Sequence, residues 1–174
     1  MLDIKPFQET LGAGMCAPAT LKMLLMYFNL PGQEKTDIEL AESFVNYSVN
    51  LGITNSEFIT VSEKFGLKCK EKVNADFVDI QEALIRKNPV IVDWFSPGRG
   101  DRGLGEMADG HYSIVVDLDE KYIYLQDPEV GEVRKIQKEN FLRVWFDFDE
   151  PGKDYVVDTK NVYLRYMIEV EKLV

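Results

Sequence analysis

The period of the hydrophobic residues changes once along this chain, at Pro89, and that change narrows the folds open to it. Before Pro89 the pattern is mostly helical. Leu21, Leu24, Leu25 and Phe28 recur at i, i+3, i+4 and i+7, which predicts a helix from about Ala17 to Phe28. Pro18 falls in its first turn, where the missing N–H costs nothing, and Pro31-Gly32 closes it. A second helix is expected over Asp37–Asn46, with Ile38, Ala41, Phe44 and Val45 on its face. A third is capped by Asn55 or Ser56, turns Phe58, Val61, Ser62 and Phe65 inward, and stops at Gly66. A fourth runs from about Phe77 to Lys87, marked by Phe77, Ile80, Leu84 and Ile85. The one strand in this half is short, with Leu67, Cys69 and Val73 alternating with lysines. After Pro89 strands dominate: Val90–Phe95, His111–Val116, Tyr122–Gln126, Val133–Ile136 and a closing strand over Val162–Val170, with a short helix at Glu139–Trp145. Helices first and strands later is an α+β order: N-terminal helices packed on a mostly antiparallel sheet, in one domain over residues 1–174.

Composition excludes several classes. With 45% hydrophobic and 11% aromatic residues the chain can bury a core. Its net charge of −10 repels a nucleic-acid backbone, so no nucleic-acid partner is expected. The N-terminus lacks a signal peptide and no apolar run reaches membrane-spanning length, which predicts a cytoplasmic protein with no membrane partner. Neither a phosphate loop nor a metal-ligand cluster appears, so no cofactor and no metal are expected. Asp147, Asp149, Glu150 and Asp154 read as a solvated acidic face. The glycine-rich stretch Ser96–Gly110 is expected to form a mobile flap.

Three residues point to chemistry. His111 is the only histidine, and it enters a strand directly after the glycine-rich stretch. Cys16 stands at the start of the first helix, behind Gly12-Ala13-Gly14-Met15. Unpaired N–H groups at a helix start favour a thiolate, and small residues before it let a substrate backbone approach. Asp127 ends the strand that should pair with the His111 strand, where a carboxylate can accept the imidazole Nδ1–H and steady an imidazolium. Cys69, on the alternating lysine strand, has no such setting and reads as core; a disulfide between the two thiols stays open.

These residues resemble a known family. Gln8 with Cys16-Ala17-Pro18-Ala19-Thr20-Leu21-Lys22-Met23 is similar to the nucleophile block of the bacteriocin-leader-processing cysteine peptidases. Gly110-His111-Tyr112-Ser113-Ile114-Val115-Val116, then Tyr124-Leu125-Gln126-Asp127-Pro128-Glu129-Val130-Gly131, resemble that family's histidine and aspartate blocks. The resemblance implies a papain-like fold and a cysteine peptidase or amidase acting on a peptide or small amide; with no membrane-spanning run and no phosphate loop in the sequence, a stand-alone enzyme is expected. Cys16 would be its nucleophile, His111 its base, Asp127 the orienter, and Gln8 the oxyanion donor together with the Cys16 backbone N–H. Two departures stand out: Ala17 where the family usually has glycine, and eight residues from Gln8 to Cys16. A transglutaminase-like acyl transferase shares the same residue order, although Trp94 and Trp145 lie away from the cysteine and histidine blocks. A catalytically silent papain-like binding domain is the third possibility. The sequence leaves substrate identity and oligomeric state open.

Overall fold

The computed structural model describes residues 1–10, 14–45, 53–96, 109–148 and 162–173, and its first element is α1 (Cys16–Phe28). Leu21, Leu24 and Leu25 are wholly buried along α1, and Asn29 ends it in the left-handed region at φ 51°. The next helix, α2 (Asp37–Ala41), is shorter than its apolar pattern suggests. A reciprocal capping box between Thr36 and Glu39 starts it, and the chain turns after Ala41. Leu40, Ala41 and Phe44 are therefore buried, while Ile38 and Val45, expected inward, are exposed. In α3 (Asn55–Lys64) Phe58, Val61 and Ser62 are buried as expected. The cap, however, is Thr54, whose hydroxyl accepts the Glu57 N–H, so the Asn55 side chain serves another purpose described below. Strand β1 (Leu67–Lys72) stops before Val73, which is exposed, and α4 (Phe77–Ile85) buries Ile80 and Ala83 but leaves Ile85 outside.

The remaining elements are β2 (Val90–Ser96), β3 (Asp109–Leu118), β4 (Tyr122–Asp127), β5 (Glu132–Gln137), α5 (Lys138–Leu142), β6 (Phe146–Phe148), β7 (Val162–Leu164) and β8 (Tyr166–Lys172). The expected closing strand is thus two strands. Arg165, at φ 52°, breaks it, so β7 pairs with β6 while β8 enters the main sheet. Likewise α5 ends at Leu142, and Trp145 lies beyond it, buried, with its indole N–H donated to the Tyr166 carbonyl at 2.9 Å.

The main sheet runs β1-β8-β2-β3-β4-β5 with every pairing antiparallel. Leu21, Leu24 and Phe58 pack with Ile91, Tyr112, Ile114 and Ile168 on one face. Ile80, Ala83 and Phe141 pack with Val90, Val92, Trp94 and Leu125 on the other. Helical cover on both faces explains why Val90–Trp94 reads as a continuous apolar run broken only by Asp93. The N-terminal segment crosses the far strands, held by Leu2 N–H on the Val116 carbonyl at 2.7 Å and Glu9 N–H on the Pro128 carbonyl at 2.9 Å.

Candidate active site

The start of α1, the start of β3 and the end of β4 bring three polar side chains together. Cys16 is the first residue of α1 and is half-buried. His111 lies near the start of β3, opposite Trp94 of β2, and their rings meet edge-on with centroids 6.1 Å apart. Asp127 is the last residue of β4, and the β3–β4 register, which pairs Ile114 with Gln126, brings it beside His111. His111 Nε2 and Asp127 Oδ1 are 2.7 Å apart, and the Cys16 side chain acts on the same ring. The ring is used the opposite way round from the sequence expectation: Asp127 meets Nε2, not Nδ1. Nε2 is the atom farther from the histidine backbone and reaches the neighbouring strand end.

Burial would disfavour an imidazolium here, but the Asp127 carboxylate and the Cys16 side chain outweigh it and raise His111 well above the ordinary histidine range. Burial would likewise favour a neutral Asp127. His111, the Arg134 guanidinium and the Glu129 backbone N–H, which donates to Oδ1 at 2.9 Å, together hold its carboxyl below the usual range. Arg134 Nε stands 2.5 Å from Asp127 Oδ2, and its Nη2 donates to Glu129 Oε2 at 2.8 Å. The Ser96 hydroxyl reaches that Glu129 oxygen at 3.1 Å. Both cysteines are free thiols. Burial and the Glu63 charge, opposed by a hydrogen bond with Ser62, push the Cys69 thiol up to about 12, a setting unsuited to chemistry.

A second polar group flanks the cysteine. Asp93, buried in β2, accepts the Asn55 side-chain N–H at 2.9 Å, and the Tyr112 hydroxyl donates to the Asn55 carbonyl oxygen. Burial, then the Asp147 carboxyl beside it, raise Asp93 well above the carboxylate range, and Cys16 adds to the effect. Asp147 is therefore not part of a solvated face: β6 turns it inward, onto the Cα of Gly110, where a side chain would collide with the carboxyl. Asp149, Glu150 and Asp154 lie outside the described residues.

Gln8 is exposed on the N-terminal segment, against Gly131 in the turn after Asp127; the structure joins Cys16, His111 and Asp127 with one another but does not join Gln8 to them by a hydrogen bond. The expected flap falls on residues 97–108, outside those described; its ends, Ser96 and Gly110, belong to β2 and β3. Ligand atoms of His111, Asp127 and Glu129 lie within 4.8 Å of one another, yet the Arg134 guanidinium is paired with both carboxylates, where a metal ion would have to sit. Sequence reading missed Arg134, Glu129, Asn55 and Asp93. One signal was present: Arg134 shares the inward alternation of β5 with Ile136, an unusual place for a cation.

A family model described as the Peptidase_C39 like family matches residues 1–151. No match was found among curated proteins. Among solved structures, the peptidase domain of Streptococcus ComA, a bifunctional ABC transporter of a quorum-sensing pathway, superposes with a TM-score of 0.65 at 18% identity, covering 97% of this chain and 98% of that one. A double glycine motif protease from an AMS/PCAT transporter, crystallised with its leader peptide, gives a TM-score of 0.61 at 18% identity, covering 96% and 91%. The N-terminal peptidase C39 like domain of a toxin secretion ATP-binding protein from Vibrio parahaemolyticus gives 0.56 at 17% identity, covering 94% and 99%. At such identities the likeness concerns the fold: helices on a large antiparallel sheet, as in the papain-like peptidases of this family.

Proposed function

The chain belongs to the Peptidase_C39 like family, and from that premise we propose that it is a cysteine peptidase or amidase whose nucleophile is Cys16. The observation that carries this reading is the chain of contacts from Cys16 through His111 to Asp127, built from three distant parts of the sequence. The Cys16 thiolate attacks the carbonyl carbon of the scissile amide, and the His111 imidazolium gives its proton to the departing amine. A water molecule, deprotonated by His111, then attacks the thioester, releasing the acid and restoring the thiolate–imidazolium pair. Asp127 holds the ring through Nε2 and balances its positive charge. The Cys16 backbone N–H, in the first turn of α1 where amides lack intrahelical partners, serves the oxyanion. Gln8 is proposed as the second donor, carried to the neighbourhood of Asp127 by the Glu9–Pro128 backbone bond. The leader peptide bound by one of the similar proteases supports a peptide as substrate here. Among the described residues no helix is long and apolar enough to cross a membrane.

The test compares the two thiols. At pH 6 iodoacetamide should label Cys16 at least about tenfold faster than Cys69, as expected for a thiolate held by an imidazolium. His111→Ala should slow the labelling of Cys16 by at least about tenfold and leave that of Cys69 unchanged. Equal labelling in the wild-type protein, read by mass spectrometry, would sink the assignment. Cleavage of a peptide library that survives Cys16→Ala would sink it as well.

A further inference from the structure

Asp127 is wholly buried at the end of β4 and carries a charge that the proposed mechanism needs. A buried carboxylate keeps its charge only if each oxygen is met by donors or an opposite charge; otherwise the neutral acid is favoured. One oxygen is accounted for by the mechanism itself: Oδ1 faces His111 Nε2 at 2.7 Å and also receives the Glu129 N–H at 2.9 Å. The other oxygen, Oδ2, faces the guanidinium of Arg134 at 2.5 Å. Arg134 comes from β5, the edge strand, and its position opposite Leu125 points it under β4 instead of out to solvent. Its stem is mostly covered, and its second arm is anchored on Glu129 at 2.8 Å. Glu129 is anchored in turn by the hydroxyl of Ser96, the last residue of β2. A guanidinium is suited to this place because its planar fork can engage two carboxylates at once and stays charged at every accessible pH.

We propose that Arg134 is a positioning residue of the site, holding Asp127 ionised and fixed in rotation so that Oδ1 is presented to His111; this rests on the cysteine–histidine reading given above. Arg134 acts on the imidazole through Asp127. Glu129 and Ser96 extend the support to β2, so the imidazole is oriented from three strands. Without the guanidinium, Asp127 would keep His111 as its one opposite charge, and Oδ2 would lose the cation that faces it. The carboxyl would then protonate at higher pH, and the attraction that keeps His111 an imidazolium would weaken.

The chain contains one histidine, so the ring protons of His111 can be followed by NMR without assignment ambiguity. In Arg134→Gln the His111 titration midpoint should fall by about one unit, the lower end of what a close opposite charge contributes. The rate of Cys16 alkylation at pH 7 should fall with it by about tenfold. Arg134→Lys, which returns the charge without the fork, should recover at least half of the midpoint shift. If Arg134→Gln titrates like the wild-type protein while His111→Ala still abolishes the reactivity of Cys16, Arg134 is only a structural ion pair. The proposal then fails, and the enzyme assignment stands. If His111→Ala leaves Cys16 as reactive as before, the assignment fails and takes the role of Arg134 with it. Should Arg134→Gln not fold, Glu129→Gln is read in its place, since it loosens the guanidinium without removing it. A smaller fall in the same direction is expected, and an unmoved midpoint overturns the proposal.

Discussion

His111 and Asp127 each shift the other's proton affinity, and the two shifts act on stability at opposite ends of the pH scale. Asp127 is lowered in the folded chain, so its stabilisation is present above the unfolded carboxylate value of about 3.9 and is lost as pH falls through the folded value. His111 is raised, so its contribution is complete below the unfolded value of about 6.5 and is lost as pH rises through the folded one. Both contributions coexist between roughly pH 4 and 6.5. Thermal unfolding of the wild-type protein and His111→Ala at pH 5, 7 and 9 should therefore show the largest gap in Tm at pH 5, shrinking as pH rises. A gap that widens from pH 5 to pH 9 would mean that the ring is buried as the neutral base.

At the scale of elements, the turn from β4 into β5 ties the N-terminal segment to the site. Gly131 sits in it at φ 71°, a conformation that costs an L-residue about 1–2 kcal/mol. A Cβ built there would also come within 2.7 Å of the Gln8 Cβ. Neither atom can swing away, because both are fixed to backbone and the Glu9–Pro128 bond pins the segment. Gly131→Ala should therefore loosen the segment: amide exchange at Glu9 should speed up while Ile114–Val116 in β3 keep their protection. An unchanged Glu9 amide would show that the turn absorbs the methyl group elsewhere. If Gln8 serves the oxyanion as proposed, Gly131→Ala should also slow peptide cleavage more than it slows Cys16 alkylation, since alkylation forms no oxyanion.

For the whole molecule, the main sheet is the shared wall of two cores. Leu24 of α1 is fully buried on one side and Phe141 of α5 on the other, and strands β2, β3 and β8 contribute to both. A cavity on either side should then destabilise a single transition, by about 2–5 kcal/mol for Leu24→Ala and about 3–5 for Phe141→Ala. Calorimetry of the two variants should show one peak, displaced to lower temperature in each. Two separated peaks in either variant would mean that the faces unfold independently. Ranking the two variants by Tm then gauges the faces directly: the α1 face carries Cys16, and the α5 face carries the packing behind Trp94 and His111.

Local pattern was enough to place α1, α3, β1 and the core strands, because burial on a helix or a strand imposes its own period on the residues. It was also enough to single out Cys16 at a helix start and the lone histidine after a glycine-rich stretch. The period could not say where α2 stops, since Ile38 and Val45 continue the apolar pattern while the turn after Ala41 decides burial. Nor could it divide the last strand at Arg165, where a single left-handed residue sends β7 and β8 to different sheets. The site depended still more on the tertiary arrangement. Which ring nitrogen meets Asp127, the pairing of Arg134 with two carboxylates, and the turning of Asp147 onto Gly110 all follow from strand register and packing across the sheet. Sequence records the identity and spacing of charged groups along one strand. The electrostatics of a buried site depend on which groups from other strands lie within a few ångströms, and that is settled only when the sheet closes.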